Sequence, residues 1–292
     1  MAKGMESMRP GAALAGMARV AAVLLAPLLL AACFFSPGKF AADLDVARDG
    51  RFDFAYKGEI VIVGYRDPMR DFPAQGDKEL LNEIGECFEE SGKPKPTCSA
   101  EEQARLKAQA ESRQANERSE DTREFEALRQ TLGFDPSDEK AVAAFAARLK
   151  GQNGWKDVSY KGNGVFAVDY AISGTLDRDF VWPVFPGAAG VVPFVVAQRQ
   201  ADGRIRVRAP GFGGFGGMNS SGPMTSAMIG MASKAEEGGP APDGLFTIVT
   251  GAEVLANNNE DGWAPDAKGR RIVWKVGPSS AAVPEALLEV RR

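Results

Sequence analysis

Apolar and polar residues alternate along the chain from residue 40 onward. Phe40, Ala42, Leu44 and Val46 fall on one side of an extended segment, with Asp43 and Asp45 on the other. Asp49-Gly50 follows, a dipeptide suited to a two-residue hairpin turn. Phe52, Phe54, Tyr56, Ile60 and Ile62 then continue the alternation opposite Asp53, Lys57 and Glu59. The pattern predicts a long hairpin with one buried face. A lone hairpin is marginal in water, so that face needs further strands or a helix against it.

The texture changes after Asp71. Residues 78–90 have helical character. Ser99 is a good N-cap, with Glu101 and Glu102 in the first turn of a helix expected to reach Leu132. From Glu101 to Glu124 its only large apolar residue is Leu106. A helix polar on all sides is a solvated arm or is unstable alone. Asp135-Pro136-Ser137-Asp138 opens another helix, with Pro136 expected at its first position. Val142, Phe145, Ala146 and Leu149 give it an apolar stripe, and Gly151 ends it.

Strands resume beyond residue 155. Lys161-Gly162-Asn163-Gly164 is a second hairpin turn, leading into Phe166, Val168, Tyr170 and Ile172. Further strands are expected around Phe194–Val196, Ile205–Val207, Phe246–Ile248, Ile272–Val276 and Leu287–Val290. Short spacings and tight turns imply antiparallel pairing. The expected fold is α+β: an antiparallel meander or partly closed barrel, with helices inserted after the first hairpin at about 78–150.

The N-terminus adds an address. Arg9 and Arg19 precede an apolar run from Val20 to Ala32 that ends in small residues. This is the pattern of a secretory signal peptide, and the run is shorter than the roughly 20 residues a membrane-spanning helix needs. Leu30-Ala31-Ala32-Cys33 looks like a bacterial lipobox, which implies lipidation of Cys33. Residues 1–32 are thus expected to be the signal peptide, 33–38 the lipidated anchor and a short linker, and 39–292 one periplasmic domain. Phe34, rather than Asp, follows the cysteine; by resemblance this implies sorting to an outer membrane.

Composition narrows the chemistry. The net charge is −4, and removing Lys3, Arg9, Arg19 and Glu6 takes it to −6. Nucleic-acid partners usually leave a basic footprint instead. The chain has no histidine. That removes Ser-His-Asp and Cys-His mechanisms and histidine-bound zinc, while carboxylate or lysine chemistry stays open. No cofactor is expected. Cys87 and Cys98 remain after Cys33, and an isolated pair in an exported chain is most simply a disulfide. A loop of that size contributes roughly 3 kcal/mol in the chain-entropy description.

Several segments invite a functional reading. Gly211 to Gly216 spells G-x-G-x-x-G, but loop residues follow where a dinucleotide site needs a helix. Phe212, Phe215 and Met218 among glycines, followed by Met224, Met228 and Met231, read better as an adaptable apolar segment: a lid or lip for a lipid-like ligand, or a stripe packed in the core. Arg204, Arg206 and Arg208 share one strand face, suited to phosphates or simply to solvent. Asn257, Asn259, Asp261 and Gly262 imitate a calcium loop, but Lys268 stands where a glutamate is required, leaving an Asx-rich turn. Asp177 and Asp179, flanking Arg178, are expected on a strand with no completing acid or base nearby.

Thr250-Gly251, Val254, Asn257 and Trp274, together with Asp45, Asp49-Gly50 and Phe52 after a lipidated cysteine, resemble the LppM-like lipoprotein domain. The chain is also similar to outer-membrane lipoproteins of Gram-negative bacteria. The resemblance implies an α+β envelope domain with lipid-related binding, and it brings no catalytic residues. The functional expectation is a non-enzymatic cell-envelope lipoprotein that binds an apolar or lipid-like ligand. The alternative is an assembly lipoprotein that holds an envelope partner through the 99–132 helix.

Overall fold

The computed structural model describes residues 35–63, 65, 98–185, 191–213, 242–278, 280 and 282–290. Its strands are β1 (Phe35–Val46), β2 (Arg51–Ile62), β3 (Trp155–Gly162), β4 (Val165–Thr175), β5 (Phe180–Trp182), β6 (Val195–Arg199), β7 (Ile205–Arg208), β8 (Asp243–Thr250), β9 (Glu253–Asn257), β10 (Ala264–Asp266), β11 (Gly269–Val276) and β12 (Glu285–Glu289). Helices α1 (Ala100–Leu132) and α2 (Glu139–Lys150) lie between β2 and β3.

The fold is α+β, with its helices after the first hairpin, but the strands do not form one meander. They divide into a seven-stranded sheet, β10-β11-β8-β1-β2-β4-β3, and a five-stranded sheet, β5-β6-β7-β12-β9. One pairing breaks the antiparallel rule: β8 runs parallel to β1, Lys39 opposite Asp243 through Val46 opposite Thr250. The reason is topological. After β4 the chain builds β5 to β7 in the second sheet, then returns to the free side of β1 from the end where β1 began. Parallel neighbours need such an excursion.

The turn from β8 into β9 carries the chain from one sheet to the other. Thr250, fully buried, makes the corner: its hydroxyl donates to Val46 O at 2.8 Å and accepts from Ala252 N at 3.0 Å. A buried hydroxyl satisfied in both directions substitutes for ladder bonds that the bend removes.

The core lies between the sheets. Alternation in β1 and β2 buries Ala42, Leu44, Val46, Phe54 and Tyr56. The second sheet answers with Trp182, Val195, Ala197, Ile205, Val207 and Leu288. Trp182 is the hub, its ring centroid 4.4 Å from Tyr56, 5.3 Å from both Phe54 and Tyr170, and 5.5 Å from Phe194. Helix α2 covers the other part of the sheet with Val142, Phe145, Ala146 and Leu149, the stripe expected from the sequence. It begins at Glu139 with Asp138 as N-cap; Pro136 stays outside, because Asp135 Oδ1 accepts from Ser137 N and holds that segment as a turn.

Helix α1 has 33 residues, about 50 Å of length. Ser99 closes a capping box with Glu102, and Gly133 at φ 71° ends it in a left-handed cap. Among the described residues only its last turns reach the core, through Leu128 and Leu132 with Phe125 beside them. The polarity read in the sequence thus corresponds to a helix docked at its foot.

Two glycines let the sheet close around Phe40. Gly58 on β2 and Gly244 on β8 both stand opposite Phe40 in register. A Cβ on Gly244 would fall on the Phe40 carbonyl oxygen, and one on Gly58 would fall on Lys39 O and the Phe40 Cα. Gly244→Ala is therefore expected to cost about 1–3 kcal/mol, since backbone cannot give way as a side-chain tip can. Denaturant unfolding measures it; a loss under ~0.5 kcal/mol would show that the strands separate freely there.

Candidate functional site

The start of β1 bears directly on the stretch expected from the sequence to carry an anchor. The stretch expected as linker, residues 33–38, is already strand from Phe35 onward, because Phe35 and Pro37 are buried. The Phe35 ring lies 4.3 Å from Phe185 and stacks at 6.4 Å on Phe145 of α2. Phe34 alone separates this core residue from Cys33 in the sequence.

Several described segments meet at this end. Phe35 pairs with Ile62, and Val61 with Val165, so the β3–β4 turn at Lys161–Gly164 stands level with the start of β1. Val184, beside Phe185, is 60% exposed. The described flanks of the Gly/Met segment also arrive near here. Phe212 stacks 4.4 Å from Phe40, and Asp243 pairs with Lys39.

Phe212 departs from the expected adaptable lip. It is fully buried among Phe40, Phe194 and Phe246, at the end of a short 3-10 turn from Pro210. Glycine neighbours leave the backbone free, yet the aromatic rings of β1 and β8 offer the benzyl group more apolar contact than solvent does, so it packs in the core. Phe215, Met218, Met224, Met228 and Met231 lie outside the described residues, as do Cys33 and Cys87. Cys98 immediately precedes the α1 N-cap and is not a free thiol.

A depression of about 720 Å³, rimmed by charged side chains over an apolar floor, lies on the outer face of the large sheet, toward the opposite ends of the strands. Register builds it. Arg271 of β11 stands opposite Val249 of β8, Val249 opposite Asp45 of β1, Asp45 opposite Asp53 of β2, and Asp53 opposite Ser173 of β4. Two carboxylates directly opposed across strands repel one another. Lys268, on the β10–β11 turn, ion-pairs with Asp45, and the Ser173 hydroxyl donates to Asp53. The Asp45 carboxylate raises the Lys268 ammonium above its ordinary pKa. Asp266 is held below the usual carboxylate range, first by the Lys268 backbone N–H and then by Arg271 at 2.7 Å. The alternation in β1 and β2 signalled these polar positions, but their alignment into one row depends on long-range register.

The remaining sequence-marked residues serve structure. Asp177 and Asp179 lie in the turn between β4 and β5 and not on a strand, because the Asp177 carboxylate accepts from Thr175 at 2.8 Å and closes that turn. Arg206 and Arg208 alternate outward along β7 and share Glu285 at 3.6 and 3.4 Å, while Arg204 pairs with Asp202. Asn257 and Asn259 cap successive backbone N–H groups, the Asx-turn pattern. Asn258, unmarked between them, does more. Its Oδ1 accepts from Trp274 Nε1 and Glu285 N, and its Nδ2 donates to Val283 O. It thereby ties the β9 end to both sheets. Among the described residues no group of three His, Cys, Asp or Glu side chains is placed to hold a metal. None of the described helices is long and apolar enough to cross a membrane.

No family model matches the sequence, and neither does any curated protein. Among solved structures, the NMR structure of the folded domain of the Mycobacterium tuberculosis LppM protein is similar over 88% of this chain and 92% of that one, at 12% identity and a TM-score of 0.20. At that score the likeness carries no further argument.

Proposed function

We propose that this protein is a non-enzymatic cell-envelope lipoprotein, anchored through acyl chains on Cys33, whose domain binds an apolar or lipid-like ligand beside its anchor. The observation that supports this most is convergence. The lipobox-like cysteine lies two positions before Phe35, with Phe34 alone between them. The flanks of a segment carrying Phe215, Met218, Met224, Met228 and Met231 emerge at Phe212 and Asp243, around the same end of the sheet. Methionine and glycine together suit an irregular apolar partner. The anchoring membrane is then the outer membrane, with the domain facing the periplasm.

Carboxylate catalysis is the weaker reading. Asp45 is bound to Lys268 and Asp53 accepts from Ser173, so neither stands poised as an acid beside a free base. A scaffold role keeps one specific support: α1 is a polar arm about 50 Å long, held to the core at its foot.

Native mass spectrometry of the soluble chain beginning at Phe34, exported and purified without detergent, tests the ligand. The expected spectrum shows an added mass in the lipid range that is lost when Met224, Met228 and Met231 are changed to Ser. A clean unliganded mass from every preparation would remove the ligand reading and leave the α1 scaffold as the next one to examine.

A further inference from the structure

We infer that the end of the domain where β1 begins rests directly on lipid headgroups, with the β3–β4 turn and Val184 as its contact points. The inference builds on the anchored reading above and adds to it an orientation. Consecutive Cα atoms are about 3.8 Å apart, so the Cys33 Cα lies within roughly 8 Å of the Phe35 Cα whatever path Phe34 takes. The headgroup layer outside the hydrocarbon is itself only about 5–8 Å thick. A lipidated Cys33 holds its acyl chains at the top of the hydrocarbon. Phe35 cannot follow as a tether, because it is 4% exposed and packed between Phe185 and Phe145. The domain therefore has no spacer with which to stand off the bilayer.

The surface around Phe35 fits that position. Lys161 and Asn163 are exposed at the tip of the β3–β4 turn, level with Ser36 through the Val165–Val61–Ser36 row. Val184 presents an uncovered apolar side chain next to Phe185. Lysine can meet lipid phosphate, and valine can enter the interfacial layer. The opposite end is set by the Asp49-Gly50 turn. Leu176 N donates to Gly50 O there, and Arg199, beside the β6–β7 turn, donates to Leu176 O. Asp45 is ten positions along β1 from Phe35, about 33 Å of strand. The depression lined by Asp45 and Asp53 is thus held away from the anchored end.

The test uses the full lipidated protein in vesicles of phosphatidylethanolamine and phosphatidylglycerol. Single variants Lys161→Cys, Val184→Cys and Ala201→Cys are treated with a membrane-impermeant maleimide, and reaction at each introduced cysteine is read by peptide mass spectrometry. Each is compared with the same variant carrying twelve Gly/Ser residues inserted between Phe34 and Phe35. The expected result is at least fivefold slower reaction at positions 161 and 184 without the insert, and no change at exposed position 201. Equal rates with and without the insert at either near-end position, or equal slowing at position 201, would overturn the inference. The mass of the Cys33 peptide from the same sample separates the two levels: an unmodified Cys33 removes the anchored reading and this inference together, whereas an acylated Cys33 with unprotected probes removes only the inference.

Discussion

Trp182→Ala is expected to destabilise the domain by about 3–5 kcal/mol, the range for removing a large buried aromatic side chain. The indole is 1% exposed and bridges the two sheets: Phe54, Tyr56 and Tyr170 approach from one, Phe194 from beside the other. Trp155 adds a contact at 6.2 Å and, through Phe185, links this group to Phe145 of α2. Few neighbours can collapse into the space, since each ring is already held by others. Its Nε1–H finds no acceptor among the described residues. Trp182→Phe therefore removes an unsatisfied donor along with some packing, and should cost less than half as much as alanine. Chemical denaturation of the three proteins measures the series. A loss below about 1 kcal/mol for alanine would mean that the sheets are not held together at this residue.

Cys33→Ser is expected to move the protein from the membrane to the soluble fraction. In the proposed anchor the free energy comes from acyl chains, at about 0.8 kcal/mol per buried methylene, so two or three chains would hold a protein of this size firmly. No described helix can substitute as a spanning segment. The contact surface proposed at Lys161 and Val184 is small, and lysine–phosphate pairs at a wet surface contribute little each. Fractionation should show nearly all of the variant released by a low-salt wash. Retention comparable to the unsubstituted protein would place the anchor elsewhere.

Elements specified by neighbouring residues were legible in the sequence. Asp49-Gly50 located the first turn, Ser99 with Glu102 the start of α1, and the Val142-Phe145-Ala146-Leu149 spacing the buried face of α2. Each depends on contacts within a few positions. The division into two sheets was not legible. It turns on Thr250 reaching Val46, about two hundred positions away, and on β8 choosing β1 as a parallel neighbour. Alternation says which side of a strand is buried but not which strand lies beside it. Gly58 and Gly244 carry a signal that becomes readable only once both face Phe40.

The candidate site divides the same way. The lipobox-like residues around Cys33 were plain from local order, whereas the start of β1 as early as Phe35 depended on that ring finding Phe145 and Phe185 far along the chain. For Phe212 the sequence leaves a lip and a core position both open, because glycine neighbours describe the backbone's freedom and not where an aromatic ring finds its contacts; the structure buries it. The Asp45–Asp53 pair was visible as two outward positions, but only register sets them opposite one another.

Cys33 is proposed above as the first residue of a lipid-anchored protein. Mass spectrometry of the N-terminal peptide from the membrane-extracted protein tests it most directly. The expected peptide begins at Cys33 and carries diacylglycerol on its sulfur. A peptide with a free Cys33 thiol, or one beginning at another residue, would contradict it.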